Sequence, residues 1–231
     1  MSSFKGEFFR PMDIAPGTGV GNRVTTDNHH RGDRNAAATQ HAANTDNSQN
    51  CAIHAVIEED VHYMDVFNTL PRVGKVKSCW VNRPDEEHPT TSSIKLVFFT
   101  HEAAQQLLDR ASEWKIKGAG LYLVWDRNKV SPEDGTGISR VLRITGPSNF
   151  VNYESLTAYF DTKLRYQTQK VGIVYAGATG LSQIDWYFAS YTNQAQVACM
   201  ALERERPDMR GNSDGVRLEY RPDPCDLGND I

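Results

Sequence analysis

The feature of this chain that most constrains its fold is an internal repeat. From Cys51 onward the apolar pattern predicts a strand, a helix, two strands, a helix and a strand, in that order. From Arg140 onward the sequence predicts the same series again, and the turn-rich stretch "NKVSPEDGTGIS" separates the two series. Two consecutive copies of one element order are hard to obtain by accident, so we expect two small domains of the same fold.

The individual elements follow from alternation in the strands and from three- and four-residue spacing in the helices. "CAIHAVI" and "SSIKLVFF" alternate as half-buried strands do. Asp60, Thr100 and Asn152 stand where the side chains of helix N-caps are expected. The predicted fold class is α+β, with two ferredoxin-like β-α-β-β-α-β domains, each a four-stranded antiparallel sheet backed by two helices.

Composition sets the domain boundaries. Residues 1–50 are poor in aliphatic side chains and rich in Asn, Thr, Ala, His and Asp, which predicts a disordered polar segment. We place the first domain at 51–127, the linker at 128–139 and the second domain at 140–222. Residues 223–231, "DPCDLGNDI", form a tail that cannot continue a sheet.

Charge and cysteine usage narrow the function classes. The formal net charge of −4 and the pI near 6.0 argue against tight non-specific binding to nucleic acid, so any such contact has to come from a local patch. Widely separated cysteines favour reduced thiols over disulfides or a zinc site. With no signal peptide or membrane-spanning segment, we expect an intracellular protein, nuclear or cytoplasmic. No residue spacing supports a catalytic group, a metal or a cofactor, and we expect no enzyme activity.

Each predicted domain resembles the RNA-recognition motif family, whose members have a four-stranded antiparallel sheet with two helices behind it. The resemblance covers residues 51 to about 225. Through the stretches "RVL-ITG" and "W-x-F-x-S", the arrangement is also similar to fungal proteins with two such motifs. Membership of the family would imply that the open sheet face binds single-stranded RNA, with aromatic residues on the first and third strands stacking on bases.

The third strand of the first copy departs from the family motif, because it lacks the glycine that follows a basic residue. The strand register therefore decides which side chains face a ligand. Either Ile94, Leu96 and Phe98 face the core, or their neighbours Lys95, Val97 and Phe99 do. Burying Lys95 without a partner would cost several kcal/mol or neutralise its amine. We therefore expect Lys95 and Val97 on the open face.

The second copy presents the same choice. Either Ile184, Trp186 and Phe188 face the core, or the alternate set that begins with Asp185 and Tyr187 does. The cost of burying Asp185 favours placing Asp185 and Tyr187 outward. The other register stays open, because "WYFASY" matches the letters of the family motif and would present Trp186 and Phe188 as a stacking pair.

The resemblance and the alternation together nominate a set of RNA contacts. His54 and Arg143 occupy the first-strand positions at which the family carries a stacking aromatic residue, and both have a flat π face. Alternation places Cys79 and Val124 on the first sheet face with the basic and aromatic candidates. The candidate RNA-binding residues are His54, Lys77, Lys95, Val97, Tyr122, Arg127, Lys129, Arg143 and Tyr187.

Two hypotheses follow for the function. The first is non-catalytic binding of single-stranded RNA, mainly through the first copy, because Asp185 on the second face would repel phosphate. The second is a protein-interaction scaffold that uses degenerate copies of the motif without binding RNA. In that case the partner protein would contact the second domain or the N-terminal segment "FKGEFFRPM".

Overall fold

The computed structural model describes residues 8–9, 47–176, 180–207 and 215–228. Most of the segment predicted to be disordered lies outside the described residues. The first repeat unit forms its elements in the predicted order, with a short β-hairpin added before its last strand. These elements are β2 (Ala52–Ile57), α1 (Tyr63–Thr69), β3 (Val76–Asn82), β4 (Ser92–Phe98), α2 (His101–Asp109), the hairpin strands β5 (Lys115–Ile116) and β6 (Ala119–Gly120), and β7 (Tyr122–Trp125).

The second unit repeats the order and gains a strand from the start of the chain. Its elements are β8 (Val141–Pro147), α3 (Tyr153–Asp161), β9 (Thr168–Ala176), β10 (Leu181–Phe188), α4 (Gln196–Glu205) and β11 (Arg217–Arg221). Strand β1 (Phe8–Phe9) pairs antiparallel with β9 at the edge of this sheet.

Strand order confirms the predicted fold class. The first sheet runs β3-β4-β2-β7, and the second runs β1-β9-β10-β8-β11, with every pairing antiparallel. In both units the two central strands are the first and third of the repeat, which is the split β-α-β arrangement that the sequence predicts. Each sheet buries one face in a hydrophobic core that its helices help to fill.

Two of the three predicted helix caps are confirmed. Thr100 Oγ1 accepts a hydrogen bond from Ala103 N at 3.3 Å, and Asn152 Oδ1 accepts one from Ser155 N at 2.8 Å. The prediction that Asp60 caps α1 is wrong, because that helix starts later, with His62 at the N-cap. The Asp60 carboxylate instead pairs with the Arg83 guanidinium.

The linker and the tail fix the two units against each other. Cys51 N donates to Val130 O at 2.8 Å, so the linker lies along the start of the first unit. The residues placed in a tail return to the first unit, where Gly74 N donates to Cys225 O at 2.9 Å. Asp223 and Cys225 are buried at this contact.

Arg140 lies at the centre of the region where the first unit, the second unit and the segment after β11 meet, which is called the junction below. Its side chain is fully buried and forms an ion pair with Asp223, which is equally buried. Arg140 Nη1 donates to Gln169 Oε1 at 2.8 Å, and the guanidinium carbon lies 3.8 Å from the centroid of the Phe67 ring of α1. The first unit, the second unit and the segment after β11 therefore meet at one buried cation.

Candidate nucleic-acid interface

The open face of the first sheet is built from three rows of side chains that cross its strands. Directly paired residues of adjacent strands point to the same face, so each row follows from the register. The middle row is Trp80, Lys95, His54 and Val124; the outer row is Asn82, Ser93, Val56 and Tyr122; the inner row is Ser78, Val97 and Ala52. None of the side chains in these rows is a carboxylate, so the rows themselves do not repel phosphate.

Trp80 is the main residue of the open face that the sequence analysis did not nominate. A β-bulge between Val76 and Ser78 inserts one residue into β3, which shifts the alternation beyond it. Cys79 consequently points into the core, fully buried opposite Leu96, and its predicted place on the open face is wrong. Trp80 takes that place and is 43% exposed.

A signal for the bulge is present in the sequence. Val76, Cys79 and Val81 are the apolar core candidates of this strand, and a strict two-residue period cannot bury all three. One extra residue between Val76 and Cys79 solves the conflict. Lys77 is that extra residue, and its side chain is 16% exposed.

The inner row of the face is covered by the linker. Val97 has the predicted orientation, away from the helices, but it is only 2% exposed because Val130 packs over it together with Cys51 and Ala52. Val97 therefore cannot contact RNA in this structure, and its assignment as an RNA-binding residue needs this correction. The accessible part of the face consists of the middle and outer rows.

Both lysines of the first face have carboxylate partners from the chain that follows β7. Lys95 Nζ lies 3.1 Å from Asp126 Oδ1, and it also donates to Asn128 O at 3.3 Å. Lys77 forms an ion pair with Glu133. Each of these lysines therefore already contacts an anion of the same chain.

Tyr122 stands at the opposite edge of the face from Trp80 and is 69% exposed. Beside it lies a hollow of about 680 Å³ whose lining includes His54, Val124 and Arg127. Arg127 is exposed and Lys129 is half-buried, and both follow β7. The structure therefore brings Tyr122, His54 and Arg127 together, as the sequence analysis expects.

The second sheet has the favoured register, and the alternative that would expose Trp186 is excluded. Trp186 is 1% exposed and packs in the core with Phe160 at a ring-centroid distance of 5.1 Å. Asp185 points to the other face but is also buried, because Arg143 covers it with hydrogen bonds of 2.6 and 2.8 Å. These bonds raise the pKa of Arg143. The Asp185 charge is thus balanced locally.

The rest of the second face combines basic and aromatic side chains with the exposed carboxylate of Glu219, which pairs with Arg143 in the register. Lys170 Nζ lies 4.5 Å from the centroid of the Tyr187 ring, and partial burial raises the pKa of Tyr187 and lowers that of Lys170. Tyr175, which the sequence analysis did not nominate, is 46% exposed and pairs with Gln183 in the register. Arg217 is exposed at the end of the same row.

The described residues contain no cluster of three or more His, Cys, Asp or Glu side chains that could hold a metal ion. The four cysteines are buried, and burial raises the pKa of the Cys51 thiol to about 11, which makes it a poor nucleophile. Within the described part of the chain, no helix is long and apolar enough to cross a membrane.

No family model matches the chain, and no curated protein matches it. Among solved structures, a Sex-lethal protein–RNA complex matches at 15% identity and a TM-score of 0.28, covering 74% of this chain and 99% of that one. The first two RRM domains of the yeast poly(U)-binding protein Pub1 match at 12% identity and a TM-score of 0.29, with the same coverages. Three N-terminal RNA-binding domains of the yeast splicing factor Prp24 match at 12% identity and a TM-score of 0.28, covering 83% and 80%.

Proposed function

Given two tandem units with the element order and sheet topology of an RNA-recognition motif, we propose that this protein binds single-stranded RNA without catalysis. The main contact is the open face of the first sheet, which uses Trp80 and Tyr122 as stacking platforms. His54 lies between them in the pairing register and offers a third flat ring. The observation that carries the proposal is the exposure of two large aromatic side chains on the face that the helices leave open.

Recognition of RNA by stacking of its bases is compatible with the weak positive charge of this face. Base–aromatic stacking contributes about 1–3 kcal/mol per base and depends little on the net charge of the protein. Arg127 supplies a cation beside the Tyr122 hollow, where a phosphate of the same nucleotide can lie. We therefore expect moderate affinity that weakens as salt rises.

Fluorescence anisotropy with short, labelled RNAs of mixed sequence tests the proposal. The titration is done at low and at moderate salt, with the wild-type protein and with the variants Trp80→Ala and Tyr122→Ala. Each substitution removes one stacking platform, so we expect each to weaken binding by about 1–3 kcal/mol. Tyr175→Ala, on the second face, measures how much that sheet contributes.

Met200→Ala is the matched control, because Met200 is 61% exposed on α4, the helix that packs on the core side of the second sheet. Its RNA affinity should equal that of the wild type. Absence of binding at both salt concentrations would overturn the proposal and favour the protein-interaction scaffold. An equal loss in Met200→Ala and Trp80→Ala would show that the first sheet face is not the site.

A further inference from the structure

The chain after β7 brings two carboxylates to the two lysines of the first sheet face. Asp126 pairs with Lys95, and Glu133 pairs with Lys77. Each lysine therefore contacts an anion of its own chain at a position from which it could contact an RNA phosphate. The two ion pairs differ in how firmly the chain holds the carboxylate.

Asp126 is a fixed part of the fold. Its side chain is 8% exposed, and its Oδ1 accepts a hydrogen bond from Asn128 N at 2.7 Å in addition to the contact with Lys95. Its backbone N donates to Ala52 O at 2.9 Å. Moving this carboxylate would break its hydrogen bond with Asn128 N and its contact with Lys95 and would expose a side chain that the fold buries, so its charge stays beside Lys95.

Glu133 is anchored through its backbone, whose N–H donates to Phe99 O at 3.0 Å. Its carboxylate is 49% exposed and reaches the Lys77 amine at the rim of the face. Ion pairs with an exposed partner contribute only about 0–1 kcal/mol, so the carboxylate can leave Lys77 while the backbone contact stays in place. Lys77 is held closely by the protein, at 16% exposure, and remains at the rim when Glu133 leaves.

We propose that Glu133 is an intramolecular competitor for RNA phosphate at Lys77. In the free protein the Glu133 carboxylate occupies the Lys77 amine, and a phosphate of the bound strand replaces it. Lys95 takes no part in this exchange, because Asp126 neutralises it permanently. The inference rests on the proposed function of the first sheet face and adds a charge-controlled step to it.

The RNA affinity of Glu133→Gln tests the competition by the same anisotropy titration. Removing the competing charge should tighten binding by up to about fivefold, which corresponds to the free energy of one exposed ion pair. In a Lys77→Ala background the same substitution should give no gain.

Asp134→Asn is the matched control, because it removes the same charge from the next residue, where the carboxylate accepts a hydrogen bond from Thr136 N instead. Its gain in affinity should be clearly smaller than that of Glu133→Gln. Equal gains in the two variants would overturn the inference, as would a gain by Glu133→Gln that persists without Lys77.

Acetylation of lysines by a small activated ester, followed by mass spectrometry, gives a readout that needs no RNA. Lys77 should react faster in Glu133→Gln than in the wild type, and the reactivity of Lys95 should not change. Equal Lys77 rates in the two proteins would overturn the inference. Failure of the wild type to bind RNA would overturn the proposed function and with it the competition for phosphate. The acetylation result would then still show whether Glu133 occupies the Lys77 amine.

Discussion

Trp80 and Trp186 show at the scale of single residues how a strand position decides a side chain's role. Trp80 faces away from the helices, whereas Trp186 donates a hydrogen bond through Nε1 to Thr168 Oγ1 at 3.0 Å and stacks on Tyr153 at a centroid distance of 5.7 Å. The desolvation of Asp185 was sufficient to predict the orientation of Trp186 from the sequence. The orientation of Trp80 was not predicted, because one inserted residue reverses the alternation.

Replacing each tryptophan by alanine should affect the free energy of unfolding to very different extents. Trp186→Ala removes a large buried side chain, and we expect it to lower the free energy of unfolding by about 3–5 kcal/mol. Trp80→Ala removes a half-exposed ring, and we expect a change of about 0.5 kcal/mol or less. Urea denaturation followed by circular dichroism measures both. A Trp186→Ala protein as stable as the wild type would contradict the packing described above.

At the scale of elements, the order of strands and helices was predictable because the apolar residues alternate in the strands and recur at three- and four-residue spacing in the helices. The hydrogen-bond partners of the free backbone groups at the sheet edge were not predictable in the same way. Strand β3 lies at an edge, and three side chains from elsewhere take up its free backbone groups: Asp223 accepts from Val76 N, Ser190 from Cys79 N and Tyr63 from Val81 N. These contacts join residues far apart in sequence, which local pattern cannot reveal.

The Ser190 hydroxyl should contribute measurably to stability through this edge. Its Oγ accepts from Cys79 N at 3.1 Å and donates to Cys79 O at 3.3 Å in a buried environment. Ser190→Ala leaves both groups without this partner, and we expect a loss of about 1–3 kcal/mol in the free energy of unfolding. Ser93→Ala is the control, because the Ser93 hydroxyl accepts from Asn82 at an exposed position. Equal effects of the two substitutions in chemical denaturation would contradict this view of the edge.

At the scale of the whole molecule, the junction makes one body of two repeated units. The sequence predicted the repeat. It did not predict the junction, because the Asp223 carboxylate and the Arg140 guanidinium are charges that a pattern assigns to the surface. The ion pair between them, together with the contact between the guanidinium and the Phe67 ring, offsets the free-energy cost of burying both charges.

Removing one partner of this ion pair should unfold both units more easily. Asp223→Ala leaves Arg140 buried without its counter-ion, and we expect a loss of about 3–5 kcal/mol. Differential scanning calorimetry should show one transition for the wild type and a lower melting temperature for the variant. Glu219→Ala is the control: it breaks the exposed pair with Arg221, which should cost about 0–1 kcal/mol. A calorimetric profile unchanged by Asp223→Ala would contradict the role of the junction.

The protected edge of β3 also bears on how copies of the molecule behave at high concentration. An uncovered strand edge offers hydrogen bonds to any extended chain and can start fibre formation or other aggregation. In the first sheet, side-chain atoms occupy these positions on β3, and in the second sheet β1 lies along β9. Along β3, and at the two residues of β9 that pair with β1, the backbone ladder is therefore not open to a neighbouring copy, which disfavours the addition of a second chain at these positions.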